Sequence, residues 1–151
     1  MSDLQGKNQN IQVLRGLSSN RSLLSCSSDG KVVDLWSVDD SSGRQQWDIV
    51  LVSGYVDVYN IIISGGTTGG RKYLSCTEDG SKVDLWEVDD GSGRQRWNFV
   101  PLNSNIPSYF NIKVVGGVNS GRVYLSCTAD GAKVDLWATD DGSGRQRWQR
   151  Q

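Results

Sequence analysis

The chain has no histidine. That single absence removes Ser-His-Asp and Cys-His nucleophilic chemistry together with the commonest metal ligand, so neither an enzyme, a cofactor nor a metal centre is expected. An excess of positive charge is missing too: 16 Lys and Arg face 17 Asp and Glu, giving a net charge of -1 and a pI near 5.3. So balanced a surface lacks the basic stripe that holds nucleic acid or anionic lipid. No apolar run in the sequence approaches the roughly 18 residues of a membrane span. The N-terminal MSDLQGKNQN lacks the apolar centre of a secretory signal, so no membrane insertion is expected and a cytoplasmic location is. Cysteine is scarce, three in 151 residues, and an odd number does not make a disulfide framework.

What the chain does have is repetition. Residues 73–97 read YLSCTEDGSKVDLWEVDDGSGRQRW, and residues 124–148 repeat them with changes only at Glu78/Ala129, Ser81/Ala132, Glu87/Ala138 and Val88/Thr139. Residues 23–47, LLSCSSDGKVVDLWSVDDSSGRQQW, are a more diverged copy. The register runs backwards without a gap, since Asn10, Asn60 and Asn111 each lie 37 residues before Trp47, Trp97 and Trp148. Three units result, at about 8–52, 58–102 and 109–151. A period near 50 residues decides the architecture before anything else. Three propeller blades would leave an unfilled centre. Three four-stranded units close a single barrel instead, each giving two strands to the barrel and two to a hairpin that caps one end. The expected fold is all-β: a β-trefoil, in one domain long enough to bury a sizeable core.

Within each unit an apolar strand (residues 11–14, 59–64 and 110–115) leads through a glycine or serine turn to the Leu-Ser-Cys strand. Asp-Gly follows, at Asp29-Gly30, Asp79-Gly80 and Asp130-Gly131, and is expected to supply the positive φ angles of a tight hairpin turn. The third strand is Val-Asp-Leu-Trp, and an acidic glycine-rich loop carries the chain on to Gln-x-Trp and the fourth strand. Segments 53–58 and 103–108 link the units, with Pro107 marking the second as a loop. Only three residues follow Trp148, so the last strand is expected to be short. Cys26, Cys76 and Cys127 hold one position in all units, two residues after a strand leucine, and are expected to be buried thiols.

Three Gln-x-Trp motifs, Gln45-Gln46-Trp47, Gln95-Arg96-Trp97 and Gln146-Arg147-Trp148, each follow a Val-Asp-Leu-Trp strand at a fixed distance. The arrangement resembles the ricin B-type carbohydrate-binding modules, and the resemblance covers nearly the whole chain. It implies a β-trefoil whose Gln-x-Trp tryptophans pack the core, and glycans or glycoproteins as partners. It also implies that Trp36, Trp86 and Trp137, at the end of the third strand, are platforms on which a sugar ring stacks.

Strand alternation reaches the same residues independently. With Val and Leu of Val-Asp-Leu-Trp in the core, Asp34/Trp36, Asp84/Trp86 and Asp135/Trp137 stand side by side on the outer face. A pyranose fits such a pair: its C–H face rests on an indole while its hydroxyls donate to a carboxylate. Galactose-binding members of the family place an aspartate on the second strand and an asparagine before Gln-x-Trp. Here those positions are Ser25, Ser75 and Ser126, and Arg44, Arg94 and Arg145, so galactose specificity does not carry over. Nearby carboxylates are available as substitutes. Asp79 and Asp130, like Asp29, lie in the hairpin turn, where shaping the turn is their competing role. Asp40, Asp90 and Asp141 lie in the facing loop, with a salt bridge to Arg44, Arg94 or Arg145 as theirs. The aspartate doublets lack the spacing of a calcium loop. Unit one has Leu23 and Val32 where the others have Tyr73/Tyr124 and Lys82/Lys133, and is expected to be the weakest site. The competing function is a protein-interaction module, a protease inhibitor or accessory subunit, that uses the unit-specific loops 53–58 and 103–108.

Overall fold

Alternation along Val-Asp-Leu-Trp gives strands with one buried and one outward edge. Val33, Val83 and Val134 and Leu35, Leu85 and Leu136 are sealed in the core, while the aspartates are half-buried and the tryptophans exposed. These strands belong to a computed structural model that describes residues 4–102 and 109–151. The linker expected at 103–108 lies outside the described residues. Among those described there are thirteen strands and no helix.

The barrel strands are β1 (Gly6–Gln9), β2 (Ile11–Val13), β5 (Trp47–Leu51), β6 (Tyr59–Ile63), β9 (Trp97–Pro101), β10 (Tyr109–Val114) and β13 (Trp148–Arg150). They pair antiparallel in the order β1-β5-β6-β9-β10-β13-β2, and because β2 continues β1 past Asn10 the run closes on itself. The remaining strands form three hairpins, β3 (Leu23–Cys26) with β4 (Val33–Trp36), β7 (Tyr73–Cys76) with β8 (Val83–Trp86), and β11 (Tyr124–Cys127) with β12 (Val134–Trp137). All three share one register: Leu23, Tyr73 and Tyr124 lie opposite Trp36, Trp86 and Trp137, and each Leu-Ser-Cys serine lies opposite the aspartate. The hairpins converge on the pseudo-threefold axis, where the Leu35 N–H donates to the Gly131 carbonyl at 3.3 Å.

Trp47, Trp97 and Trp148 are fully buried, and their indole N–H groups donate to the carbonyls of Leu24, Leu74 and Leu125 at 3.0, 2.9 and 2.9 Å. Each thereby ties the start of a barrel strand to the hairpin of its own unit. Burying an indole with its one donor satisfied contributes the full apolar gain without the cost of a stranded polar group. Phe99 meets Tyr59 and Phe110 edge-on, both at 5.7 Å between ring centres.

Two expectations change. The first strand of unit one starts at Gly6 rather than Ile11, and is broken by a register shift between Gly6 and Gln9 where Asn8 takes φ +55° and donates its N–H to Asp48. In the hairpin turns only glycine adopts positive φ, +74° at Gly30, Gly80 and Gly131 alike; the preceding aspartate does not. The turn is longer than two residues. It is closed by Ser27–Val32, Thr77–Lys82 and Thr128–Lys133 backbone bonds, so a single left-handed residue suffices.

Candidate functional site

The outer edge of each hairpin and the acidic loop beside it enclose the candidate site. Gly93 fixes the loop: it takes φ +100°, and a Cβ there would lie 2.9 Å from the Gly116 backbone of the next unit. Held in this way, the loop brings Arg94 to the edge of β8. The result in unit two is a cavity of about 200 Å³ lined by residues that include Ser75, Glu78, Asp84, Trp86 and Arg94. Unit three repeats it at the same volume with Ser126, Ala129, Asp135, Trp137 and Arg145. Every lining residue comes from one unit.

The chemistry of each cavity centres on its aspartate. Asp84 and Asp135 are half-buried, and burial pushes their carboxyl pKa up, opposed by Lys82, Arg71 and Arg94 around Asp84 and by Lys133, Arg122 and Arg145 around Asp135. Among the described residues, the buried side-chain polar atoms without a hydrogen-bond partner are Asp84 Oδ1 and Asp135 Oδ1. Acceptor capacity thus stays unspent in two carboxylates that both line a cavity. Beside them the tryptophans expose 40 % and 41 % of their surface, and Trp36 exposes 38 %.

No family model matches the sequence, and no curated protein matches it. Solved structures do. The designed threefold-symmetric protein ThreeFoil superposes with a TM-score of 0.67 at 23 % identity, over 94 % of this chain and 96 % of that one. The BEL β-trefoil superposes with a TM-score of 0.70 at 15 % identity, over 100 % and 96 %. The fold is a β-trefoil. A third likeness, to the Polyporus squamosus lectin bound to the human-type influenza-binding epitope Neu5Acα2-6Galβ1-4GlcNAc, has a TM-score of 0.68 at 18 % identity, over 99 % of this chain and 50 % of that one.

The trefoil brings together Asp84, Trp86 and Arg94, and likewise Asp135, Trp137 and Arg145. In unit one Asp34 is half-buried, with its pKa raised by burial against the pull of Arg21 and Arg44. Other candidates lie outside the two linings. Asp79 Oδ1 accepts from the Ser81 N–H at 2.9 Å and from the Ser81 and Thr77 hydroxyls, bonds that hold its pKa down at about 2. Asp130 is held low in the same manner by the Ala132 N–H and the Thr128 hydroxyl, and Asp29 by the Ser27 hydroxyl and the Lys31 N–H. These three shape their turns. Asp40, Asp90 and Asp141 accept the backbone N–H of Ser42, Ser92 and Ser143 and lean on Arg44, Arg94 and Arg145 at 3.9, 3.7 and 3.8 Å. Separations this long in solvent add little stability, so their main work is the loop turn. Tyr73 and Tyr124 are outside the linings as well.

Arg21, Arg71 and Arg122 are the residues that sequence reasoning missed. Their guanidinium carbons stand 5.1, 5.4 and 5.4 Å from the ring centres of Trp36, Trp86 and Trp137, close enough for cation–π attraction. Each fixes an indole and faces the adjoining aspartate. Their signal was present in the sequence, an arginine two residues before the second strand in all three units. Among the described residues no group of three or more Cys, Asp and Glu is arranged to hold a metal ion.

Proposed function

We propose that this trefoil is a non-enzymatic carbohydrate-binding protein, a lectin of the ricin B type, with shallow glycan sites on the outer face of its hairpin cap. The observation that carries the reading is the repeated pairing of a half-exposed indole with a cavity-lining carboxylate whose buried Oδ1 has no partner. A buried acceptor without a donor is costly and rare in folded proteins, and sugar hydroxyls supply donors at the spacing a carboxylate accepts. The indole takes the apolar face of the same ring. Units two and three supply the stronger sites, through Asp84, Trp86 and Arg94 and through Asp135, Trp137 and Arg145; Asp34, Trp36 and Arg44 make a weaker third. The Polyporus squamosus lectin, alike in fold and bound to a saccharide, is in keeping with this use.

One open site gives affinity on the order of mM, and display of two or three raises it through avidity. A glycan array and an agglutination assay on the purified chain test the reading. Binding is expected, and Trp86→Ala with Trp137→Ala is expected to abolish it while the protein stays folded. A blank array would turn the assignment to the second reading, a protein-interaction module. One observation favours that alternative: the unit-specific linker 53–58 presents Tyr55 and Val56 at 49 % and 83 % exposure.

A further inference from the structure

The cavities of units two and three have the same volume and nearly the same walls, and the one ionisable difference in their linings is Glu78 against Ala129. Across the 25-residue segments that contain them, the only other ionisable difference is Glu87 against Ala138, directly after the stacking tryptophan. Unit three therefore lacks two carboxylates while the cations that bear on its aspartate, Arg122, Lys133 and Arg145, match Arg71, Lys82 and Arg94; the exposed Lys72 of unit two, where unit three has Val123, offsets one of the two charges. Glu78 is exposed, and no ion pair is formed by it among the described residues, so its charge is not cancelled by a fixed partner. Ala129 has a second effect. It is shared between the 200 Å³ cavity and a neighbouring open hollow of about 430 Å³, which reaches Ser18 of unit one and carries both Lys133 and Asp130 on its wall.

Building on the carbohydrate-binding reading, we propose that position 78/129 divides the two sites by ligand charge. Unit three accepts saccharides bearing a carboxylate or sulfate, and unit two, with Glu78 in its wall, rejects them in favour of neutral ones. A like charge at the wall of a small solvated cavity opposes an anionic ligand by a few-fold, about three- to tenfold at moderate salt, and the effect shrinks as salt rises. A neutral sugar feels neither.

The test is a titration followed by NMR, at saccharide concentrations up to the millimolar range, of matched neutral, uronic, sialylated and sulfated glycans into single-site chains in a Trp36→Ala background. Adding Trp137→Ala leaves unit two, and adding Trp86→Ala leaves unit three. The unit-three chain is expected to hold acidic glycans at least threefold better, relative to their neutral counterparts, than the unit-two chain. Glu78→Ala in the unit-two chain should restore acidic binding, and Ala129→Glu in the unit-three chain should remove it. Both are exposed positions, so neither exchange threatens the fold. If the two single-site chains share one glycan profile, or the exchanges leave the profiles unmoved, the division by charge is overturned while carbohydrate binding stands. If the unaltered chain binds nothing in the titration, the carbohydrate reading itself falls and takes this inference with it.

Discussion

Gln95 donates its side-chain amide to the Ser75 hydroxyl across 2.9 Å while its carbonyl oxygen accepts the backbone N–H of Asp90 at 3.0 Å. Gln45 and Gln146 do the same with Ser25 and Asp40 and with Ser126 and Asp141. The glutamine of Gln-x-Trp is thus a buried clamp between the second hairpin strand and the acidic loop. It sets where Arg94 stands.

Breaking the clamp strands a buried amide. Ser75→Ala is expected to cost about 1–3 kcal/mol, the usual penalty for leaving a buried polar group unmade. Gln95→Ala should cost a similar amount, and the double variant less than the sum, because each single change removes the same bond. The urea midpoint, at unchanged m-value, measures all three.

Most of the architecture was legible because it rests on periodicities written along the chain. The three-unit register, the Val/Leu face and the outward Asp84/Trp86 pair follow from a period of two and a repeat in phase, and the core role of Trp97 from the resemblance that the Gln-x-Trp motifs carry. The partners were not legible. Ser75 reads as a lost ligand until the register puts Gln95 over it, and Arg71 has no assigned part until folding lays it across Trp86. Asp79 reads as a turn residue or a ligand substitute, and the three hydrogen bonds that its own turn gives Oδ1 are visible only in the fold. Each of these depends on neighbours brought close by pairing, about which linear spacing says nothing. Among the described residues the positive φ of Asn8 does not recur at the equivalent Val58 or Tyr109, so the repeat gave no warning of it.

Acid should separate binding from folding. Burial raises Asp84 and Asp135, so sugar binding is expected to fail as pH drops through a value above the ordinary aspartate range near pH 4. For stability the sign is opposite. A carboxyl raised in the folded state favours folding when protonated, and its contribution is lost as pH rises through the folded pKa. The turn aspartates act the other way: Asp79, lowered to about 2, stabilises above the ordinary aspartate pKa and gives that up only as pH falls towards about 2. A window below the binding transition should therefore hold folded protein that does not bind. Asp84→Asn with Asp135→Asn should abolish binding yet raise the urea midpoint at pH 7, with the gain vanishing on acidification. A midpoint lowered at neutral pH would contradict the sign.

The thiols should be silent. Cys26, Cys76 and Cys127 are buried, and burial pushes each up to about 12, so at pH 8 almost no thiolate is available to a reagent that must also reach it. Ellman's reagent is expected to find no fast-reacting thiol in the native protein and three in denaturant. A rapid native phase would place at least one cysteine at the surface.

Closure of the barrel has a kinetic consequence. Trp148 lies opposite Val13, and the Ser18 N–H reaches the Ala129 carbonyl at 2.7 Å, so the contacts that complete the ring join residues more than a hundred positions apart. Contacts of such separation are reached only after a large loss of chain entropy, which puts folding in the millisecond-to-second range rather than the microseconds of local helical folds. During synthesis the first two units emerge with β2 still waiting for β13, its edge open to any other strand. The interval before the third unit arrives is when this molecule is most exposed to mispairing with its own kind.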